Sequence, residues 1–142
     1  IEFMKYPNEC ISTSCLQSLW YLTKGKILGL SVRMNSIKYG VLHNYNKLLW
    51  HESPSIRKQT CCNIGIFARN QMDDIMRTEI VVSLLSIISE NEDENILYNA
   101  NKIHDHKQAL QICNYKHSEL WEVKWYAFRT IVSILRSVNE QQ

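Results

Sequence analysis

Glycine and proline are scarce, with four and two in 142 residues. So few breakers exclude the many tight turns of a small β-sandwich and favour long helices. A surplus of charge is missing too. Sixteen Lys and Arg against fourteen Asp and Glu leave a formal +2, far from the footprint of a dedicated nucleic-acid binder, and no nucleic-acid partner is expected. No apolar run approaches the roughly 20 residues that span a bilayer, and the N-terminus lacks the charged-then-apolar layout of a signal peptide. Ile1-Glu2-Phe3 ahead of Met4 reads as a cloning scar. Residues 4–142 are then long enough for one domain with a sizeable core and too short for two.

Recognisable chemistry is equally sparse. There is no Gly-rich phosphate loop, no nucleophile elbow and no Asp/Glu pair flanked by His, so an enzyme is not expected. Five cysteines, Cys10, Cys15, Cys61, Cys62 and Cys113, form an odd set without a CxxC. They read as reduced, mostly buried residues of a cytoplasmic or nuclear protein. The Cys61-Cys62 pair lies in apolar surroundings, whereas a reactive thiolate needs a basic, exposed setting. His104, His106, Cys113 and His117 are zinc ligand types. Their spacing is too loose for a structural site, and solvated or capping histidines are the expected role. No cofactor or metal is called for.

What the sequence does contain is repetition. CLQSLWYLTKG (15–25) set above TCCNIGIFARN (60–70) matches in small or apolar residues at the first, second, fifth and eighth positions, an offset of 45. GVLHNYNKLLW (40–50) set above EIVVSLLSIIS (79–89) matches at the second, third, ninth and tenth, an offset of 39. Two helix families recurring at about 40 to 47 residues give the period of armadillo and HEAT arrays. The pattern predicts helices over 9–24, 34–50, 53–69, 71–76, 78–89, 104–114 and 118–138. Ser53 is placed to cap a helix that starts at Pro54, and Gly25 and Asn70 sit where a positive φ is wanted. The acidic stretch 89–101 reads as a mobile loop. In the last helix Val123, Ala127, Ile131, Ile134, Leu135 and Val138 make one apolar face.

The helix beginning at Pro54 carries apolar or small residues nearly all the way round. In a repeat of two or three helices the third is enclosed by its own partner and by both neighbouring repeats, which asks for that composition. Thr60, Cys61, Cys62, Gly65 and Ala68 are then small so that helices approach closely, and Arg57-Lys58 belong to a solvated first turn.

SPSIRKQTCCNIGIFARNQMDDIM followed by EIVVSLLSII resembles an armadillo repeat of the importin-α family, whose members carry nuclear-localisation signals. CLQSLWYLTKG is similar to another third helix, DHKQALQ (105–111) to a segment near the end of that array, and Trp125-Tyr126-Ala127 to its last repeat. The resemblance spans most of residues 8–138. It implies an all-α right-handed solenoid of about three armadillo/HEAT-like units, located in cytoplasm and nucleus, that binds a basic peptide or a transport receptor. In that family Trp and Asn on successive third helices form a ladder. The Trp position falls on Gln17 and Cys62, and the Asn position on Tyr21 and Ile66, so neither copy keeps the pair. Trp20 beside Tyr21 adds an aromatic patch. The spacing from Leu49 to Ile88 to Leu110 is 39 and then 22, about half a repeat short.

Two alternatives stay open. One is a divergent armadillo/HEAT scaffold that assembles a complex unrelated to transport. The other is a helical bundle of the Bcl-2-like kind with one central buried helix. An open array also exposes faces meant for neighbours, so the chain is expected either to form a homo-oligomer through its terminal repeats or to bind a partner there.

Overall fold

Asn8 opens the first helix by accepting, through its side-chain oxygen, the amides of Cys10 at 2.9 Å and Ile11 at 3.3 Å, two of the donors a helix start leaves bare. That helix, α1, is Glu9–Thr23. A computed structural model of the chain describes residues 1, 8–89 and 117–141, with no strand among them. After α1 come α2 (Leu28–Lys38), α3 (Val41–Leu48), α4 (Pro54–Phe67), α5 (Met72–Met76), α6 (Ile80–Ser89) and α7 (His117–Gln141). None is long and apolar enough to cross a membrane. Of the acidic stretch 89–101, Ser89 ends α6 rather than opening a loop, and the rest of it, with the predicted helix at 104–114, lies outside the described residues.

Where sequence and structure differ, the reasons are local. The single helix expected over 34–50 is two, because Gly40 adopts φ 81°. Glycine tolerates that left-handed turn without the Cβ penalty, and the chain turns between α2 and α3. Gly25, expected to take such a conformation, does not; Lys24 closes α1 in right-handed geometry with its amide on the Trp20 carbonyl. The Ser53 hydroxyl does not cap α4 but donates to Glu9 Oε1 at 2.6 Å, tying the start of α4 to α1.

Helix α4 is the centre of the packing. It lies against α1, α3 and α7, and α1 and α7 pack mainly on it rather than on each other. Ser55 is the one exposed residue in α4, which answers its composition. The enclosure reaches further than the sequence suggests. Arg57, expected in a solvated first turn, is instead fully buried, while Lys58 is half-buried with its ammonium in a surface ion pair with Glu122 at 2.6 Å. Thr60, Cys61 and Ala68 are at the packed faces as expected. Gly65 is not: a Cβ there meets nothing within 4 Å.

The two repeat offsets reappear as burial. At offset 39, Val41, Asn44, Tyr45 and Leu48 of α3 correspond to Ile80, Ser83, Leu84 and Ile87 of α6, and all eight are buried. The helices pack together, with Ser83 Oγ donating to Asn46 Oδ1 at 2.8 Å. At offset 45, Leu16 of α1 corresponds to Cys61 of α4, both fully buried. Asn63 Nδ2 donates to the Leu16 carbonyl at 2.9 Å and to Tyr45 Oη at 3.3 Å. Thr130 Oγ1 of α7 donates to the Cys61 carbonyl at 2.8 Å. Equivalent carbonyls thus receive a side chain from the next helix in the series α1, α4, α7.

Burial also differs between copies in an informative way. Asn63 and Phe67 of α4 are covered, whereas their counterparts Ser18 and Leu22 on α1 are exposed, Leu22 by 57%. In α7, Val123, Ala127 and Ile134 turn inward with Ile131 and Val138 half-buried, but Leu135, expected on that face, is exposed.

Candidate functional site

Between the C-terminal half of α1, the α1–α2 connection with Arg33 from the middle of α2, the C-terminal half of α4 and the middle of α7 lies a groove of about 590 Å³. Its floor is the α4 surface of Cys61, Cys62, Gly65 and Ile66. Trp20 forms one wall, and Tyr126, Thr130 and Ser133 form the other. The floor is open because Gly65 stands where α1 has Trp20, and the missing side chain leaves space.

Of the positions carried over from the family ladder, Cys62 and Ile66 line the groove. Gln17 and Tyr21 do not; both are exposed on α1, Tyr21 by 66%. Trp20 lines it as well, half-buried, with the Tyr21 ring edge-on at 5.1 Å. Lys24 Nζ stands 4.1 Å from the Trp20 ring centre and 4.6 Å from that of Tyr21. The aromatic patch therefore exists, and a cation already occupies its face.

Cations are what the sequence reading missed. Lys24, Lys26, Arg33, Arg69 and Arg129 all line the groove, and no acidic residue among the described residues does. A partial signal was present: at offset 45 Lys24 corresponds to Arg69, so both copies carry a base at that place. The described ion pairs involve none of the five.

Arg33 is the most constrained of them, 4% exposed. Its Nε donates to Gln71 Oε1 at 2.9 Å, and Nη1 donates to the carbonyls of Thr23 and of Gly25, the latter at 3.2 Å. A cation on the carbonyls ending α1 is favourable both as a cap and against the helix dipole. Gly29 makes room for it, since a Cβ there falls 2.7 Å from the Thr23 carbonyl oxygen and 3.1 Å from Arg33 Nη1. Burial, and then the charge of Arg69, push the Arg33 pKa down.

The thiols of the floor are poor nucleophiles. Burial pushes Cys61 up strongly, helped by Cys62. Cys62 is also raised by burial, against the smaller pull of Arg129 and Lys58. Both stay protonated at neutral pH.

A Glu9, His51 and Ser53 cluster superficially suggests a nucleophile site. The Ser53 hydroxyl proton, however, is directed at Glu9, and His51 Nδ1 accepts from the Ser53 backbone amide at 3.0 Å. The imidazole does not face the hydroxyl. No group of three or more His, Cys, Asp or Glu among the described residues is placed to hold a metal. Of the zinc-type residues noted in the sequence, His104, His106 and Cys113 lie outside the described residues, and His117 is the first residue of α7. Compared with known proteins, the chain matches no family model, no curated protein and no solved structure.

Proposed function

We propose that the chain is a protein-interaction module, a right-handed stack of about three armadillo- or HEAT-like helical units that binds an extended peptide in the groove crossed by α1, α4 and α7. The carrying observation is the equivalent use of Leu16 and Cys61, whose carbonyls each receive a side chain from the following helix of the series. Stacking of that kind generates a continuous surface on one side of the third helices, where solenoids hold their ligands. A half-buried Trp, an apolar floor and hydroxyls on the opposite wall suit a main chain with alternating side chains.

A random-peptide display library selected on the protein, with counter-selection on Gly65→Trp, tests this. That variant gives α4 the side chain α1 already has and fills the floor. Peptides that bind the parent and lose at least about 10-fold against the variant support the reading. Recovery only of peptides that bind both equally overturns it.

A scaffold that assembles complexes through its outer faces is the second reading. It is favoured by Trp121, Trp125 and Phe128, which are exposed at helical spacing on α7 and are residue types common at interface hot spots. Sedimentation over a range of concentrations is the check: self-association abolished by Trp125→Glu supports it, and a monomer throughout removes the second-copy form. A transport adaptor for basic signals is less favoured, since the groove is cationic.

A further inference from the structure

The described residues lining the groove place five positive charges around one peptide-sized channel and, among those residues, no negative one. The whole chain has a formal +2, so those five leave −3 on the rest. A cleft lined by one sign focuses its field on an approaching ligand. None of the five cations takes part in a described ion pair; the contacts of Lys24 with Trp20 and Tyr21 and of Arg33 with Gln71 and the carbonyls ending α1 leave their positive charge unneutralised. Arg33 is 4% exposed, rests on neutral oxygens and faces the like charge of Arg69. Such an arrangement is relieved by an anion.

We infer that the occupant of the groove is an acidic peptide segment, with Asp or Glu side chains directed to the Arg69 and Arg129 rims and small apolar side chains on the Cys62 and Ile66 floor. The inference rests on the peptide-groove reading and inverts the charge expected of a localisation signal. A peptide fits better than a nucleic acid. Nucleic-acid binding asks for a broadly basic domain and aromatic faces free for bases, whereas the net charge is small and Lys24 already covers the faces of Trp20 and Tyr21.

The test is fluorescence anisotropy with three labelled peptides of one design, a repeated Glu-Ala-Asp-Val sequence and its Lys-for-acid and Gln-for-acid versions, with an oligothymidylate as competitor. The acidic peptide is expected to bind at least about 10-fold tighter than either other version, and to weaken as salt rises. Arg69→Glu combined with Arg129→Glu, both exposed positions, is expected to remove that preference with the helical circular dichroism unchanged. If the pair disturbs folding, Lys26→Glu with Arg69→Gln serves in its place. Equal or tighter binding of the Lys or Gln peptide overturns the acidic assignment while leaving a peptide groove standing. Displacement by the oligothymidylate at lower concentration than by unlabelled acidic peptide overturns it in favour of nucleic acid. No binding of any peptide overturns both readings.

Discussion

Asn63 Nδ2 donates to the carbonyl oxygen of Leu16 at 2.9 Å, joining the middle of α4 to the middle of α1 across 47 residues of sequence. Both residues are fully buried, and the same amide group reaches Tyr45 Oη at 3.3 Å. An amide inside an otherwise apolar interface fixes helix register, because a slip leaves it without a partner at the full desolvation cost.

Asn63→Ala is therefore expected to lower unfolding stability by about 1–3 kcal/mol, and Tyr45→Phe by less. Denaturant unfolding of the two single variants and the double variant checks this. The double variant should be more stable than the sum of the singles implies, since they share a contact. Strict additivity counts against the Asn63–Tyr45 bond.

Two glycine substitutions should have opposite signs. Gly29→Ala drives a Cβ to 2.7 Å from the Thr23 carbonyl oxygen, backbone that cannot rotate away, and should cost about 1–3 kcal/mol despite the better helix former. Gly65→Ala meets nothing within 4 Å and should stabilise by about 0.5–1 kcal/mol. Thermal melts of the pair decide it; a destabilising Gly65→Ala denies that the groove floor is open.

His51 gives a pH dependence. Burial lowers its pKa from the ordinary 6.5, Glu9 opposes this and Arg57 adds to it; Nδ1 must be unprotonated to accept the Ser53 amide. Between the lowered folded value and 6.5 the unfolded chain binds more protons, so stability rises with pH there. This contribution is intact above 6.5 and is lost as pH falls through that interval. His51→Gln should flatten the dependence, measured as unfolding midpoint against pH.

Thiol labelling should separate the cysteines. Cys10 is exposed and Cys61 is buried and held protonated. A maleimide at neutral pH is expected to modify Cys10 first and Cys61 only on unfolding, read by peptide mass mapping. Rapid native labelling of Cys61 contradicts the packing of α4 against α7.

The helical class was legible, and burial follows the offset of 39: Val41 with Ile80 and Tyr45 with Leu84 share register in sequence and in burial, whereas at offset 45 Leu16 and Cys61 agree but Phe67 is buried and Leu22 exposed. The split at Gly40 was overlooked although glycine after a helical run is a known stop, since apolar residues resume at Val41. Arg57 was misplaced because charge near a helix start usually means solvent, a local rule that packing of α4 on several sides overrides. For the groove, Cys62 and Ile66 were named through the ladder positions of the family resemblance, and Trp20 as the aromatic neighbour of Tyr21. Arg33 and Arg129 were not, since neither lies in an aligned segment and three-dimensional proximity alone brings them to the same opening.

Arg33, on α2, joins the carbonyls that finish α1 to the side chain of Gln71 just ahead of α5, so one side chain links three segments at the mouth of the groove. That rim is preorganised. Little ordering entropy remains to be lost when an occupant enters, and the empty and filled backbones are expected to superimpose closely. Encounter, rather than rearrangement, then sets the association rate, and ionic strength acts through how often partners meet in the right orientation.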